Sequence, residues 1–171
     1  MSLVFVGGGA RSGKSNFAHN LALDYARKNK QLNQLHFIAT AKAIDEEMVD
    51  RIQKHQLDRS QYFQLHESPL EVVDTLAKIP KLEIVLLDCI SMLISNYLVS
   101  GIVFSSEMLV TELASRSGLT VVVANEVGNG VVPEYELGRV FRDLNGQVNQ
   151  LIATRADEVC ILNFGIATKL K

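Results

Sequence analysis

The sequence predicts an α/β fold: a mostly parallel sheet with helices on both faces and an antiparallel hairpin at its C-terminal end. Three observations lead there. Short apolar runs alternate with stretches whose apolar residues recur at helical spacing. The first run feeds a glycine-rich loop, Gly8-Gly9-Ala10-Arg11-Ser12-Gly13-Lys14-Ser15, that opens a helix. The last two runs are separated only by Asn163-Phe164-Gly165, a turn signal.

The loop narrows the fold class to a P-loop nucleotide-binding fold. It fits the pattern Gly, any four residues, Gly, Lys, Ser/Thr. Leu3-Val4-Phe5-Val6 before it reads as a buried strand, and Asn16 to Lys30 after it as a helix with Phe17, Leu21 and Tyr25 on one stripe. Glycines let backbone N–H groups curl around an anion without Cβ obstruction. The following helix aims its N-terminal N–H groups and positive dipole end at the same place. Lys14 is expected to reach the β- and γ-phosphates, and the Ser15 hydroxyl to ligate Mg²⁺.

Leu35 to Ala39 reads as the second strand. Ile44 to Arg59 follows as a helix, acidic in its first turn and basic toward its end, which suits the helix dipole. Arg51, His55 and Arg59 lie four apart and share one face. That face is either a solvated basic surface or a phosphate-binding surface, where flanking arginines would favour the neutral, nucleophilic imidazole. Tyr62 to Leu65 is a short third strand, followed by Glu67. Pro69 to Ile79 reads as a helix with Ser68 as N-cap. Ile84 to Asp88 is a buried strand ending in a carboxylate that would reach Mg²⁺ directly or through water. Helices are expected over Ser91–Leu98 and Ser106–Arg116, the latter closed by Gly118. Leu119 to Ala124 is another buried strand. The loop Asn125 to Pro133 lies at its carboxyl end, where open α/β sheets bind ligands. A long helix, Glu134 to Ala156, carries Arg139 and Arg142; it reads either as a solvent or interface helix or as a phosphate-binding one. Asp157–Asn163 and Ile166–Leu170 form the terminal hairpin.

The 171 residues favour one domain, and no linker, repeat or low-complexity tract suggests a boundary. A hydrophobic content of 47% and a net charge of −2 give no general pull toward nucleic acid or an anionic membrane. No apolar run reaches bilayer length, and the N-terminus lacks a basic signal-peptide region, so a cytoplasmic protein without stable membrane insertion is expected. Cys89 and Cys160 read as inert buried thiols. A GTPase switch is not expected. Asn125-Glu126-Val127-Gly128 stands where Asn-Lys-x-Asp would read guanine, and Asp143-Leu144-Asn145-Gly146 falls inside the predicted long helix.

Several strings together resemble the bifunctional adenosylcobinamide kinase/adenosylcobinamide-phosphate guanylyltransferases of cobalamin assembly. They are Gly8 to Ser15; Phe37 to Ala41; Asp45-Glu46-Glu47-Met48 running to Arg51-Ile52-Gln53-Lys54-His55; Asn125 to Glu134; and Phe141-Arg142-Asp143-Leu144 on to Ala156-Asp157-Glu158-Val159. They span almost the whole chain in family order. The resemblance implies an ATP- or GTP-dependent kinase acting on the aminopropanol hydroxyl of adenosylcobinamide. It also implies transfer of GMP from GTP to adenosylcobinamide-phosphate, giving adenosylcobinamide-GDP and pyrophosphate. It implies GMP carried on a histidine at the position of His55, and nucleotide contacts at Gly8 to Ser15, Ala39, Thr40, Ala41, Gln56, Leu57, Asp58, Arg59, Glu67 and Asp88. Lys14 would be catalytic, Ser15 and Asp88 would hold Mg²⁺, and the assembly would be a homotrimer with sites near subunit interfaces. The chain departs from the family twice: Asp88 stands where Glu is common, and the stretch Ser100 to Ser106 is shorter than in many relatives. A kinase-only enzyme and a non-catalytic nucleotide-binding protein are the competing readings.

Overall fold

A computed structural model describes residues 2–42 and 62–171. The predicted helix from Ile44 to Arg59, with Arg51, His55 and Arg59, and the positions Gln56, Leu57 and Asp58, lie outside the described residues. In chain order the elements are β1 (Leu3–Gly8), α1 (Lys14–Asn29), β2 (Leu35–Ala39), β3 (Gln64–Glu67), α2 (Val72–Lys78), β4 (Ile84–Asp88) and α3 (Ile90–Ser100). They continue with α4 (Ser106–Ala114), β5 (Thr120–Asn125), α5 (Glu136–Arg155), β6 (Glu158–Asn163) and β7 (Ile166–Lys169). The strands form one seven-stranded sheet in the order β3-β2-β4-β5-β1-β6-β7. All pairs are parallel except β6–β7. The expected mostly parallel sheet with an antiparallel C-terminal hairpin is therefore what forms. Phe164 and Gly165 both adopt positive φ at the hairpin turn, as a two-residue primed turn requires.

Side-chain alternation along the strands builds two cores. Val4, Val6, Phe37, Ile84, Leu86, Val121 and Val123 face α1, whose buried stripe is Ala18, Ala22 and Ala26. Phe17, Leu21 and Tyr25, the stripe read from the sequence, are only partly buried and flank those alanines. The small residues at the centre let the helix axis approach the sheet. The opposite row, with Phe5, Ile38, Val85, Leu87 and Val122, packs against α2, α3, α4 and α5.

Expected boundaries shift by a few residues, the third strand from Tyr62–Leu65 to Gln64–Glu67, and two helix shifts have tertiary causes. Helix α2 begins at Val72, and Ser68 is not its N-cap. Ser68 is buried, its N–H donates to the Ala39 carbonyl, and its hydroxyl accepts from Thr75. The 68–71 segment is held instead by α3, through Asn96 to the Pro69 carbonyl and Tyr97 to that of Leu70. Helix α4 ends at Ala114, and Gly118 serves close packing rather than termination. A Cβ there would lie 2.4 Å from the Leu82 carbonyl oxygen and 2.5 Å from that of Glu83.

The same turn holds a buried cation. Arg116 is 3% exposed, and its guanidinium donates to the carbonyls of Leu76, Ile79, Pro80 and Glu83 at 3.0–3.2 Å. Burial pulls its pKa below the ordinary value, opposed by the nearby Glu112 and Glu83. The planar fork of arginine spans carbonyls that a single ammonium cannot. Arg116→Ala leaves these carbonyls without their donor. It is expected to cost about 3 kcal/mol or more, a melting point lower by about 6–12 °C in a chain of this size. Arg116→Lys is expected to recover only part of that loss; calorimetry showing either variant within about 2 °C of the parent would contradict the clasp.

Candidate functional site

The carboxyl end of β1 runs straight into the phosphate loop. A Cβ at Gly8 would lie 2.6 Å from Ser12 Oγ and 2.7 Å from the Leu162 carbonyl oxygen, so only glycine fits under the loop. Arg11 at φ 57° and Gly13 at φ 91° turn the backbone so that successive N–H groups can face one concavity, a geometry suited to an anion. Ser12 Oγ is buried without a hydrogen-bond partner among the described residues, a cost that a bound acceptor or donor would remove. Lys14 is buried, and its ammonium folds back to donate to the Gly9 carbonyl at 2.9 Å. Helix α1 has Gly13 at its N-cap, no side-chain cap and no acidic residue in its first turn. Lys14 there places a cation at the positive dipole end, unfavourable by about 0.3–1 kcal/mol until an anion arrives. The hairpin supports the loop from behind, with Gly165 N–H donating to the Ser12 carbonyl at 3.0 Å.

Strand parity places other expected residues on the sheet face from which the loop and α1 rise. In β4, Ile84 and Leu86 face α1, so Asp88, two residues on, faces the same side. Ala39 packs into that core and is opposite Asp88, and Glu67 is opposite Ala39. Glu67, Ala39 and Asp88 therefore form a row along the carboxyl ends of β3, β2 and β4, on the face where α1 begins. Asp88 is half-buried and Glu67 exposed. The Cys89 thiol records the local field. Burial, then the Asp88 carboxylate, push it up to about 12, with Lys14 opposing. Both charges thus act on one point, and Cys89 is the unreactive thiol expected. Cys160 is likewise raised, by burial and by Glu158.

Thr40 is fully buried. Its hydroxyl donates to the Cys89 carbonyl at 2.7 Å and accepts from the Cys89 N–H at 2.9 Å, while Asn96 donates to the Thr40 carbonyl. The Thr40 side chain thus ties the end of β2 to that of β4.

The side chains that hold the end of β5, where the Asn125 loop begins, escaped sequence reasoning. Asn125 N–H donates to Ser91 Oγ at 2.8 Å, Ser91 donates to Asn145 Oδ1 at 2.7 Å, and Asn145 Nδ2 donates back to the Asn125 carbonyl at 3.0 Å. Asn149 adds a second donor to that carbonyl. The available signal is a buried polar residue inside an apolar stripe: Phe141, Asn145, Val148 and Ile152 share one face of α5. Arg139 donates to the Pro133 and Glu134 carbonyls, and Arg142 pairs with Asp143, so both make local contacts at the start of α5.

A separate groove of about 520 Å³ lies at the β3 edge, lined by residues that include His36, His66, Lys78 and Glu83. His36 bridges Glu83 and His66 there. Burial and His36 hold the His66 imidazole below its usual pKa. His36 shares the face of Ile38, which packs with α2, so this cluster is on the opposite side of the sheet from the phosphate loop.

A protein-family model described as cobinamide kinase/cobinamide phosphate guanyltransferase matches residues 4–170. The chain belongs to this family. It is 33% identical to the bifunctional adenosylcobalamin biosynthesis protein CobU of Escherichia coli K12 and 35% identical to CobU of Salmonella typhimurium LT2, each match covering 99% of both chains. It is 34% identical to the bifunctional adenosylcobalamin biosynthesis protein CobP of Pseudomonas aeruginosa, over 96% of this chain and 94% of that one. Solved structures share the fold at low identity. They include a KaiC-like protein of Pyrococcus horikoshii (TM-score 0.55, 11% identity, 95% of this chain and 71% of that one) and the flagellar accessory protein FlaH of Methanocaldococcus jannaschii (TM-score 0.54, 16% identity, 99% and 78%). No helix among the described residues is long and apolar enough to cross a membrane.

If Lys14 acts as the phosphate clamp expected from the sequence, Lys14→Ala is expected to slow cobinamide phosphorylation by about a hundredfold or more, the loss of one electrostatic contact to the transferring group. Turnover within about threefold of the parent at saturating nucleotide would remove Lys14 from that role.

Proposed function

We propose that this chain phosphorylates adenosylcobinamide and then guanylylates the product, both within one domain. The observation that carries the reading is the phosphate loop and the row Glu67–Ala39–Asp88 on one face of the sheet, in a chain that matches the family from residue 4 to residue 170. In the first reaction Gly8 to Ser15 hold the triphosphate of ATP or GTP. The substrate hydroxyl oxygen attacks the γ-phosphorus, the bond to the β,γ-bridging oxygen breaks, and the diphosphate leaves. Lys14 moves from the Gly9 carbonyl to the phosphates. The Ser15 hydroxyl and the Asp88 carboxylate are hard oxygen donors that fit Mg²⁺ and would hold it. Bound there, Mg²⁺ would neutralise charge on the phosphate oxygens. Asp88 has a shorter reach than the Glu common at this position, which favours contact through water.

In the second reaction a neutral His55 nitrogen attacks the α-phosphorus of GTP. A nitrogen–phosphorus bond forms and pyrophosphate leaves. The phosphate of adenosylcobinamide-phosphate then displaces the histidine, giving adenosylcobinamide-GDP. Two of the other histidines are already committed: His36 is buried between Glu83 and His66, on the far face of the sheet. His19 lies against Phe63, its ring tilted, with centroids 5.0 Å apart. His66 is bonded to His36 on that same far face, and these placements support His55. Gln56 to Arg59, Ala39, Ala41 and Glu67 complete the nucleotide contacts in this reading.

A homotrimer with sites near its interfaces is part of the same proposal. Exposed apolar residues support it: Val131, Val132, Tyr135 and Leu137 at the start of α5, and Val99, Ile102, Val103 and Met108 around the α3–α4 connection. Substrates such as ATP and GTP favour the cytoplasm.

His55→Ala is the decisive variant. With GTP labelled at the α-phosphate, the parent should carry an acid-labile label and form adenosylcobinamide-GDP, and the variant should do neither. With γ-label, both should phosphorylate adenosylcobinamide. Label retained on the variant, or mapped to His19, His36 or His66, would refute the histidine assignment. A parent that transfers only γ-label is a kinase alone, and one that transfers neither is a binding protein.

A further inference from the structure

Asn125 is the last residue of β5, the strand between β4 with its Asp88 and β1 with its phosphate loop. Its backbone is held on every side. The Ser91 hydroxyl receives its N–H, Asn145 and Asn149 donate to its carbonyl, and the next amide, that of Glu126, donates to the Gly8 carbonyl at 3.0 Å. Ser91 and Asn145 are buried, and the Ser91–Asn145 hydrogen bond closes the ring. The Asn125 carboxamide, by contrast, makes no hydrogen bond among the described residues.

Its direction follows from the sheet. Val121 and Val123 face α1, so Asn125 faces α1 as well, like Asp88. Register sets it opposite Gly8, directly beside the phosphate loop. Glu126, the other polar residue at this strand end, is not equivalent. Its carboxylate accepts the N–H groups of Gly128 and Asn129 and so closes its own loop. The half-exposed carboxamide is spent on no contact within the described residues and is open to a ligand. Fixing the main chain fixes the point from which that amide projects.

We propose that the Asn125 side chain contacts the terminal phosphate of the nucleotide held by Gly8 to Ser15, Nδ2–H donating to a γ-phosphate oxygen, and that Ser91, Asn145 and Asn149 position it. The inference rests on the nucleotide-site reading above. As the bond from the γ-phosphorus to the bridging oxygen breaks and that to the acceptor hydroxyl forms, charge spreads over the equatorial oxygens. A neutral donor stabilises it without a proton transfer and without repelling Lys14.

The direct test follows the side-chain amide of Asn125 in ¹⁵N-labelled protein, assigned by its disappearance in Asn125→Asp. It is expected to shift with the magnesium complex of β,γ-imido-ATP and not with that of ADP. If the backbone amides of Gly9 to Ser15 respond to neither nucleotide, the nucleotide-site reading fails and takes this inference with it. If they respond while the Asn125 amide is alike in both complexes, this inference alone is overturned. In turnover, Asn125→Ala is expected to lower kcat for phosphorylation about a hundredfold with nucleotide KM within about threefold. An unchanged kcat refutes the contact. Asn145→Ala is expected to lower kcat in the parent but not further in Asn125→Ala, and additive losses would make it merely structural. Should Asn145→Ala not fold, Ser91→Ala serves in the same cycle.

Discussion

The structure turns on an unsatisfied helix end. The first-turn N–H groups of α1 have no intrahelical carbonyl, and Gly13 offers no capping oxygen. A helix built for stability alone would begin with Ser, Asp or Asn and carry acidic residues in its first turn. This one begins with lysine, and the loop before it is bent by Arg11 and Gly13 into a concavity of backbone donors. An anion supplies both the missing cap and the missing charge. Glycine at position 8 leaves the space where a Cβ would meet Ser12 and the Leu162 carbonyl, so the loop can close over the strand end.

The sheet turns that local feature into a site. Parallel strands in register present their carboxyl ends together, and the period of two sends alternate side chains to one face. Apolar residues at the inner positions of that row, Ile84 and Leu86 in β4 and Val121 and Val123 in β5, bury against the alanine stripe of α1. The same rows, continued past the core, deliver Asp88 and Asn125 to the level of the phosphate loop. Burial therefore decides polar placement: a shift of one residue in either strand would point the site residue into the other layer. Polar side chains behind the row hold the strand ends, Thr40 joining β2 to β4 and Ser91 with Asn145 joining β5 to the helices.

Much of this is legible in the sequence, for physical reasons. The phosphate loop is local, so its residue types and their spacing are enough to find it. Strands such as Ile84 to Asp88 show as apolar runs because both faces are buried. Tertiary contacts are harder to read. Ser68 has the composition of an N-cap but instead pairs with Ala39 and Thr75, and Gly118 follows a helix but answers to the backbone of Leu82. Asn145 stands alone among apolar residues on one face of α5 and Arg116 follows the end of α4; their roles depend on carbonyls distant in the chain. The face of Arg51, His55 and Arg59 lies outside the described residues, and its role is a proposal from sequence resemblance.

Amide hydrogen exchange with and without magnesium–ATP tests the central claim, that the uncapped end of α1 and the strand ends beside it form one phosphate site. The account predicts slowed exchange over Gly9 to Ser15 and at Asn125 and Glu126, with no change at His66 and Lys78 in the groove on the other side of the sheet. Protection confined to that groove, or absent from the loop at saturating nucleotide, would contradict it.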